Sequence, residues 1–153
     1  MPAPRLVLDT NVCLDLLVFA DPRVAALDAA LRAGEAVAVT RADCRAEWLR
    51  VLRYPQFGFD AAACARHAAA FDARIACLPP QELVAAPDAR LPRCADADDQ
   101  KFLELALQAR AAALLTRDAA LLALARRVQR AGLFAILAPQ CWADVLPDAG
   151  SAL

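Results

Sequence analysis

The sequence predicts an α/β fold, with a central, mainly parallel sheet of four to five strands flanked by helices. Short apolar runs alternate along the chain with longer stretches whose apolar residues recur at helical spacing, and this alternation is typical of β-α-β units. The first run, Leu6–Leu8, is apolar at every position, as expected for a parallel strand that is buried on both faces. The length of 153 residues, without an internal repeat, indicates a single domain over residues 1–153.

The first half of the chain contains a second predicted strand, Ala36–Val39. Apolar spacing and capping residues predict four helices in this half: Asn11 to about Ala20, Asp21 to Gly34, a helix capped by Thr40 and stopped by Pro55, and a long helix from Asp60 to about Cys77.

The second half begins with a proline-rich stretch from Pro79 to Ala95, which predicts a loop with at most one short strand. After it we expect regular elements in the following order: a helix opened by Asp96 to Asp99, a strand over Ala113–Thr116, a helix over Asp118–Ala131, a strand over Phe134–Leu137, and a short terminal helix from Pro139.

Composition argues against a membrane protein. Hydrophobic residues make up 60% of the chain and the mean hydropathy is +0.38, but much of this is alanine. No run long enough to span a bilayer is free of charged residues. Because residues 1–5 lack the pattern of a signal peptide, we expect a cytoplasmic protein.

The six cysteines contain no C-x-x-C pair, and His67 is the only histidine, so a structural zinc site is poorly supported. In a cytoplasmic protein the thiols are expected to be buried small apolar residues. Cys13, Cys64 and Cys77 fall within apolar helical patterns, which fits that expectation. We expect His67 to be a helix-surface residue.

Acidic residues occur where apolar runs give way to helices. Asp9 follows the first strand and Asp118 follows a later one, while Glu47 and Asp99 lie in or at the start of helices. The carboxyl ends of parallel strands share one edge of a sheet, where ligands bind in open α/β folds. Carboxylates gathered there repel one another unless a proton or cation neutralises them, so we expect a Mg²⁺ or Mn²⁺ site with oxygen ligands. Taken individually, Asp96, Asp98 and Asp99 are better explained as helix caps.

Two other α/β classes fit the first motif less well. A phosphatase of the haloacid-dehalogenase type needs a second aspartate two residues after the first, where this chain has Asn11. A Rossmann dinucleotide-binding domain needs a glycine-rich first turn, which Asp9-Thr10-Asn11 does not provide.

Four segments together resemble the PIN domain family, in particular the VapC-like toxins of bacterial toxin–antitoxin pairs. The segments are Leu8-Asp9-Thr10-Asn11-Val12, residues 47–52, residues 96–106 and Leu115-Thr116-Arg117-Asp118. The resemblance covers nearly the whole chain. It implies a metal-dependent ribonuclease that cleaves single-stranded RNA, with a cognate antitoxin as partner and a homodimeric assembly. A non-catalytic PIN-like module that binds RNA or protein is the alternative.

The resemblance assigns the acidic site to Asp9, Glu47, Asp99 and Asp118, with Asp96 as a secondary candidate for the third position. We expect Asp9 and Asp99 to be the primary metal ligands, and the other two acids to bind a second ion or the attacking water. Asp98 is assigned to solvent. Because no histidine or lysine is placed to act as a general base, we expect the metal to supply the activated water.

Polar residues beside these acids are candidates for support. The resemblance assigns this role to Asn11 and Thr116, and the Thr10 and Thr116 hydroxyls are suited to orienting carboxylates or phosphate oxygens. Alternatively, each threonine makes only a side-chain-to-backbone bond at a strand end.

Arginines are the candidate contacts to RNA phosphate, because sixteen of the seventeen basic residues are arginine and Lys101 is the only lysine. The candidates are Arg117 beside Asp118, and Arg41, Arg45, Arg50 and Arg53 around Glu47. The alternative is an ordinary charged helix surface, since the net charge is only −1. Trp48 is expected to anchor the core; stacking on an unpaired base is the other possibility.

Overall fold

A five-stranded sheet forms the centre of the computed structural model of this chain, which describes residues 2–84 and 91–146. The strands are β1 (Arg5–Leu8), β2 (Val37–Thr40), β3 (Ile75–Cys77), β4 (Ala113–Leu115) and β5 (Ala135–Leu137). They lie in the order β3-β2-β1-β4-β5, and every neighbouring pair is parallel. The predicted α/β class and the sheet of four to five strands are confirmed.

Helices cover both faces of the sheet. In the described residues the α-helices are α1 (Thr10–Leu17), α2 (Ala25–Ala33), α3 (Ala42–Val51), α4 (Ala61–Arg74), α5 (Gln100–Gln108), α6 (Ala119–Leu122) and α7 (Ala125–Arg130). Short 3₁₀ segments occur at Pro22–Val24, Pro55–Phe57, Pro80–Glu82, Ala97–Asp99 and Pro139–Val145.

The alternation of side chains along β1 divides the core into two layers. Leu6 and Leu8 pack in a cluster with residues of α1, α2 and α4, whereas Val7 packs on the other face with residues of α5 and α7. Both faces of β1 are therefore buried, which explains why this strand has no polar residue after Arg5.

One predicted helix extends too far. Helix α4 ends at Arg74, and Ile75 already has extended backbone angles (φ −127°, ψ 119°). The residues that follow form the edge strand β3, paired with β2, and the side chain of Cys77 is exposed. A strand of three residues has too few positions to show a period of two, so the helical pattern that precedes it conceals the boundary.

Two further predictions about helices are wrong. The predicted helix over Asp118–Ala131 is broken into α6 and α7, where Leu124 N–H bonds to the carbonyl of Leu121 in a tighter 3₁₀ turn. Thr40 does not cap α3: it is the last residue of β2, and Arg41 occupies the cap position without a side-chain bond.

The loop prediction for Pro79 to Ala95 is tested only in part, because residues 85–90 lie outside the described residues. The described part contains the 3₁₀ turn Pro80–Glu82 and no strand.

Trp48 is a core residue, as expected. Its side chain is 1% exposed, its ring stacks on Phe71 with centroids 5.5 Å apart, and its Nε1 donates to the His67 carbonyl at 3.2 Å. This burial excludes Trp48 as a stacking platform for an RNA base. His67 lies in α4, half-buried, with its ring 4.6 Å from that of Phe59.

All six cysteines are free thiols; three of them are buried, among them Cys13. The exposed Cys77 and the half-buried Cys64 and Cys141 depart from the expected burial.

None of the helices in residues 2–84 and 91–146 has the length and apolar character that a membrane span requires.

Candidate functional site

Asp9 lies at the carboxyl end of the central strand, where it caps α1. Its carboxylate accepts hydrogen bonds from the Thr10 backbone N–H at 2.7 Å, the Thr116 hydroxyl at 2.7 Å and the Asn11 side-chain amide at 3.3 Å. The side chain is almost fully buried. These donors hold the carboxylate in one orientation.

Asp118 comes from the turn that follows the neighbouring strand, β4. Its carboxylate caps α6 by accepting from Leu121 N–H at 3.3 Å. Its own backbone N–H donates to the Thr116 hydroxyl at 2.9 Å, and that hydroxyl donates to Asp9. Thr116 therefore makes both the side-chain-to-backbone bond and the carboxylate contact that the sequence left as alternatives.

The acids of the third motif, Asp96, Asp98 and Asp99, have different partners. The Asp96 carboxylate accepts from Asp98 N–H at 3.0 Å as a local helix cap, and both residues are exposed. Asp99 makes no such cap bond. Ligand atoms of Asp99, Asp118 and Cys94 lie within 4.8 Å of one another. The structure thus places Asp99, rather than Asp96, beside Asp118.

Glu47 reaches the same edge of the sheet from α3. One of its carboxylate oxygens accepts from the Thr10 hydroxyl, and the other accepts from Lys101 Nζ at 2.7 Å. Lys101 Nζ also donates to the Asp98 carbonyl at 2.6 Å. A lysine therefore lies at the site, as the ion-pair partner of Glu47. Although burial opposes it, the ion pair with Glu47 raises the pKa of Lys101, which keeps the group an ammonium.

The electrostatics of the site follow from burial and like charge. Burial, the negative charge of Asp9 and the hydrogen bond to Asp118 raise the pKa of Asp99 to about 7. Burial also raises the pKa of Asp9, against its hydrogen bonds and with the charges of Glu47 and Asp118 adding to the effect. The cluster therefore retains a proton near neutral pH, and a cation can take the place of that proton.

The donor set fits a hard divalent cation. Asp9, Asp99 and Asp118 offer carboxylate oxygens, the ligands that Mg²⁺ and Mn²⁺ prefer. Among the described residues, no basic side chain forms an ion pair with any of these three acids. Burial raises the pKa of the adjacent Cys94 thiol, so this residue remains protonated and neutral.

Two of the candidate RNA-binding arginines already have protein partners. Arg41 pairs with Asp43 at 2.7 Å and with Glu104 at 3.0 Å, and Arg45 pairs with Asp72 at 2.8 Å. Binding of phosphate by these two side chains would compete with their ion pairs.

The remaining arginines differ in their surroundings. Arg117 forms a two-point ion pair with the buried Asp15, at 2.7 and 3.1 Å, although 39% of its side chain is exposed. Its backbone N–H also donates to Asn11 at 3.3 Å, which ties the β4–α6 turn to α1. Arg50 and Arg53 are exposed, and neither forms an ion pair with a described residue.

Comparison with known families decides the identity of the fold. Residues 5–120 match the family model described as PIN domain. The chain belongs to the PIN domain family. PIN domains are generally nucleases and usually bind a divalent metal, so this is a fold of the nuclease type with an acidic cluster in the expected region. All four predicted site acids of this PIN domain lie within the matched residues. Neither a curated protein nor a solved structure matches the chain significantly.

Sequence reasoning missed three residues at this edge of the PIN domain. Lys101 carried one usable signal, because it is the only lysine in a chain with sixteen arginines and lies two residues after Asp99. Cys94 and Asp15 carried no such signal. The proximity of Cys94 to Asp118 and the ion pair of Asp15 with Arg117 arise only in the tertiary fold.

The pKa of Asp99 predicts a pH-dependent stability difference that a substitution can isolate. In the presence of EDTA, wild type should lose stability relative to Asp99→Asn as the pH rises from about 4 to about 7. Wild type loses stability because the folded state keeps the Asp99 proton over this pH range, whereas the unfolded chain releases it. Allowing for partial exposure, we expect a difference of at least about 1 kcal/mol, as one pKa unit corresponds to ~1.4 kcal/mol. Urea unfolding at a series of pH values measures it.

Asp98→Asn is the matched control, because Asp98 is an exposed neighbour in the same motif. Its stability should follow that of wild type at every pH. Parallel stability curves for wild type and Asp99→Asn would show that Asp99 is not held in a repulsive cluster.

Proposed function

We propose that this PIN domain is a Mg²⁺- or Mn²⁺-dependent endoribonuclease that cleaves single-stranded RNA. The observation that supports this most directly is the meeting of Asp9, Asp99 and Asp118 at the carboxyl edge of the sheet, with no ion-pair partner for any of them among the described residues. These acids come from three separate elements, so their proximity is a property of the fold and not of local sequence. Keeping like charges together is costly, and a bound dication would relieve that cost.

Metal bound by Asp9, Asp99 and Asp118 would activate water and neutralise charge on the phosphate. The residues around these ligands fix their positions. Thr116 and the Thr10 backbone N–H orient Asp9, the first of the three. Support of this kind from hydrogen-bonded neighbours is what keeps ligands of a metal site in a productive geometry.

Arginines near the edge are proposed to hold the RNA backbone. The exposed Arg50 and Arg53 have no competing ion pair among the described residues, which makes these two the least hindered of our candidates. Arg117 directly precedes Asp118 in the sequence, and its side chain is 39% exposed while its guanidinium pairs with Asp15. Guanidinium groups suit phosphate oxygens because their N–H donors are planar and paired.

We further propose that the nuclease is the toxin of a toxin–antitoxin pair, restrained by a cognate antitoxin protein, and that it is a homodimer. Support for this comes from the resemblance of the four acidic segments to VapC-like toxins. Membership of the PIN domain family is compatible with it.

Asp9→Asn should abolish RNA cleavage while leaving the protein folded. The substitution keeps the size of the side chain but removes one negative charge from the proposed ligand set. We expect cleavage of a labelled single-stranded RNA in Mn²⁺ to fall by at least about 100-fold, since even residues that only support metal ligands are worth 10–100-fold. Circular dichroism should show an unchanged fold.

Asp98→Asn serves again as the control and should cleave RNA as wild type does. Full cleavage by Asp9→Asn, or by wild type in EDTA, would contradict the proposal. RNA binding by a wild-type protein that cannot cleave under any metal condition would support the alternative, a non-catalytic RNA-binding PIN module.

The toxin role has a separate test in living cells. Induced expression of wild type in a bacterial host should arrest growth, and expression of Asp9→Asn at the same level should not, because arrest requires RNA cleavage. Co-expression of a small protein encoded beside this gene should restore growth. If wild type and Asp9→Asn are equally well tolerated while purified wild type cleaves RNA, the protein is a nuclease but not a toxin.

A further inference from the structure

Glu47 differs from the other site acids in having a cationic partner. Lys101 Nζ lies 2.7 Å from one Glu47 oxygen, and the Thr10 hydroxyl donates to the other. The pair joins α3 to α5, and the two side chains are only 17% and 15% exposed. Both carboxylate oxygens of Glu47 are therefore occupied by donors of this chain.

The ammonium group is anchored as well as paired. Besides Glu47, Lys101 Nζ donates to the Asp98 carbonyl at 2.6 Å, one residue before Asp99. Two acceptors on different elements thus hold a positive charge at one place. A partly buried ion pair with this geometry is screened less by solvent than one on the open surface.

Asp9, Asp99 and Asp118 lack such a partner among the described residues, as shown above. The cluster therefore has two electrostatic halves: three acids without an ion-pair partner among the described residues, and a fourth acid already paired with lysine. A dication is attracted to the first half. Beside Glu47 it would lie next to a fixed ammonium, where like-charge repulsion is strong because the surroundings are partly buried.

We propose that the Lys101 ammonium is a built-in counter-cation which takes the place of a second metal ion at Glu47. The PIN domain would then bind one divalent ion, on Asp9, Asp99 and Asp118. Glu47 becomes a positioning residue, which holds Lys101 and the Thr10 hydroxyl beside the site. This inference rests on the metal-dependent function proposed above and refines it, since the sequence predicts that Glu47 binds a second ion or the attacking water.

The competing account treats the Glu47–Lys101 pair as a structural link that opens when metal arrives. Glu47 would then be released to bind a second ion, as in sites where two metals lie about 3.5–4 Å apart. The two accounts predict different numbers of bound ions in the wild-type protein.

Mn²⁺ binding to metal-stripped protein distinguishes them, by isothermal titration calorimetry and by the electron paramagnetic resonance of bound Mn²⁺. We expect wild type to bind one Mn²⁺ per chain, with the spectrum of an isolated ion. Lys101→Met should bind two, with spin coupling between them, because Glu47 is left as an unpaired acid. Lys101→Arg keeps the positive charge and should bind one.

The double variant Lys101→Met/Glu47→Gln is the matched control and should return to one ion, since the acid that Lys101→Met releases is absent. Two coupled ions in wild type, or a single ion in folded Lys101→Met, would overturn the inference and leave the metal-dependent function standing. If Lys101→Met does not fold, the wild-type stoichiometry alone decides between the accounts. Absence of any Mn²⁺ binding by wild type would overturn the proposed function together with this inference.

Discussion

Repulsion between carboxylates at the carboxyl edge of the sheet is the constraint on which the rest of this site depends. Ligand atoms of Asp99 and Asp118 lie within 4.8 Å of one another, and burial together with the negative charge of Asp9 raises the pKa of Asp99 to about 7. No local motif forces this arrangement. The acids are held together by the packing of the strands and helices that carry them, so the stability of the core offsets the cost of the site. Rules of local consistency commonly fail where a protein binds a ligand.

The scaffold explains how the arrangement of acids is held. β1 lies between β2 and β4, so the residues that follow β1 and β4 are neighbours at one edge. Asp9 and Asp118 also cap the helices that begin there, and Thr116 joins the two by accepting from one residue and donating to the other. A single set of hydrogen bonds thus starts the helices and orients the ligands. Preorganisation of this kind is what a site needs if metal is to bind without rearranging the fold.

Features that depend on long apolar patterns could be predicted from the sequence, and features that depend on single contacts could not. The buried run Leu6–Leu8 identified the central strand and hence the position of Asp9. Strand β3 was missed because three residues show no period, and the α6–α7 break was missed because no helix-breaking residue marks it. The ion pair of Lys101 was missed because its partner Glu47 lies on another helix. Pairs of this kind are set by tertiary packing, which spacing along the chain does not reveal.

Thermal unfolding with and without Mn²⁺ tests most directly whether the acidic cluster is a metal site. Relief of repulsion predicts that Mn²⁺ raises the melting temperature of wild type and that EDTA reverses the rise. At a free Mn²⁺ concentration ~100-fold above Kd, the gain in unfolding free energy should be about 2.7 kcal/mol. The gain should be strongly reduced in Asp9→Asn, which removes one of the three acids. A wild-type melting temperature that neither millimolar Mn²⁺ nor EDTA changes would contradict the account.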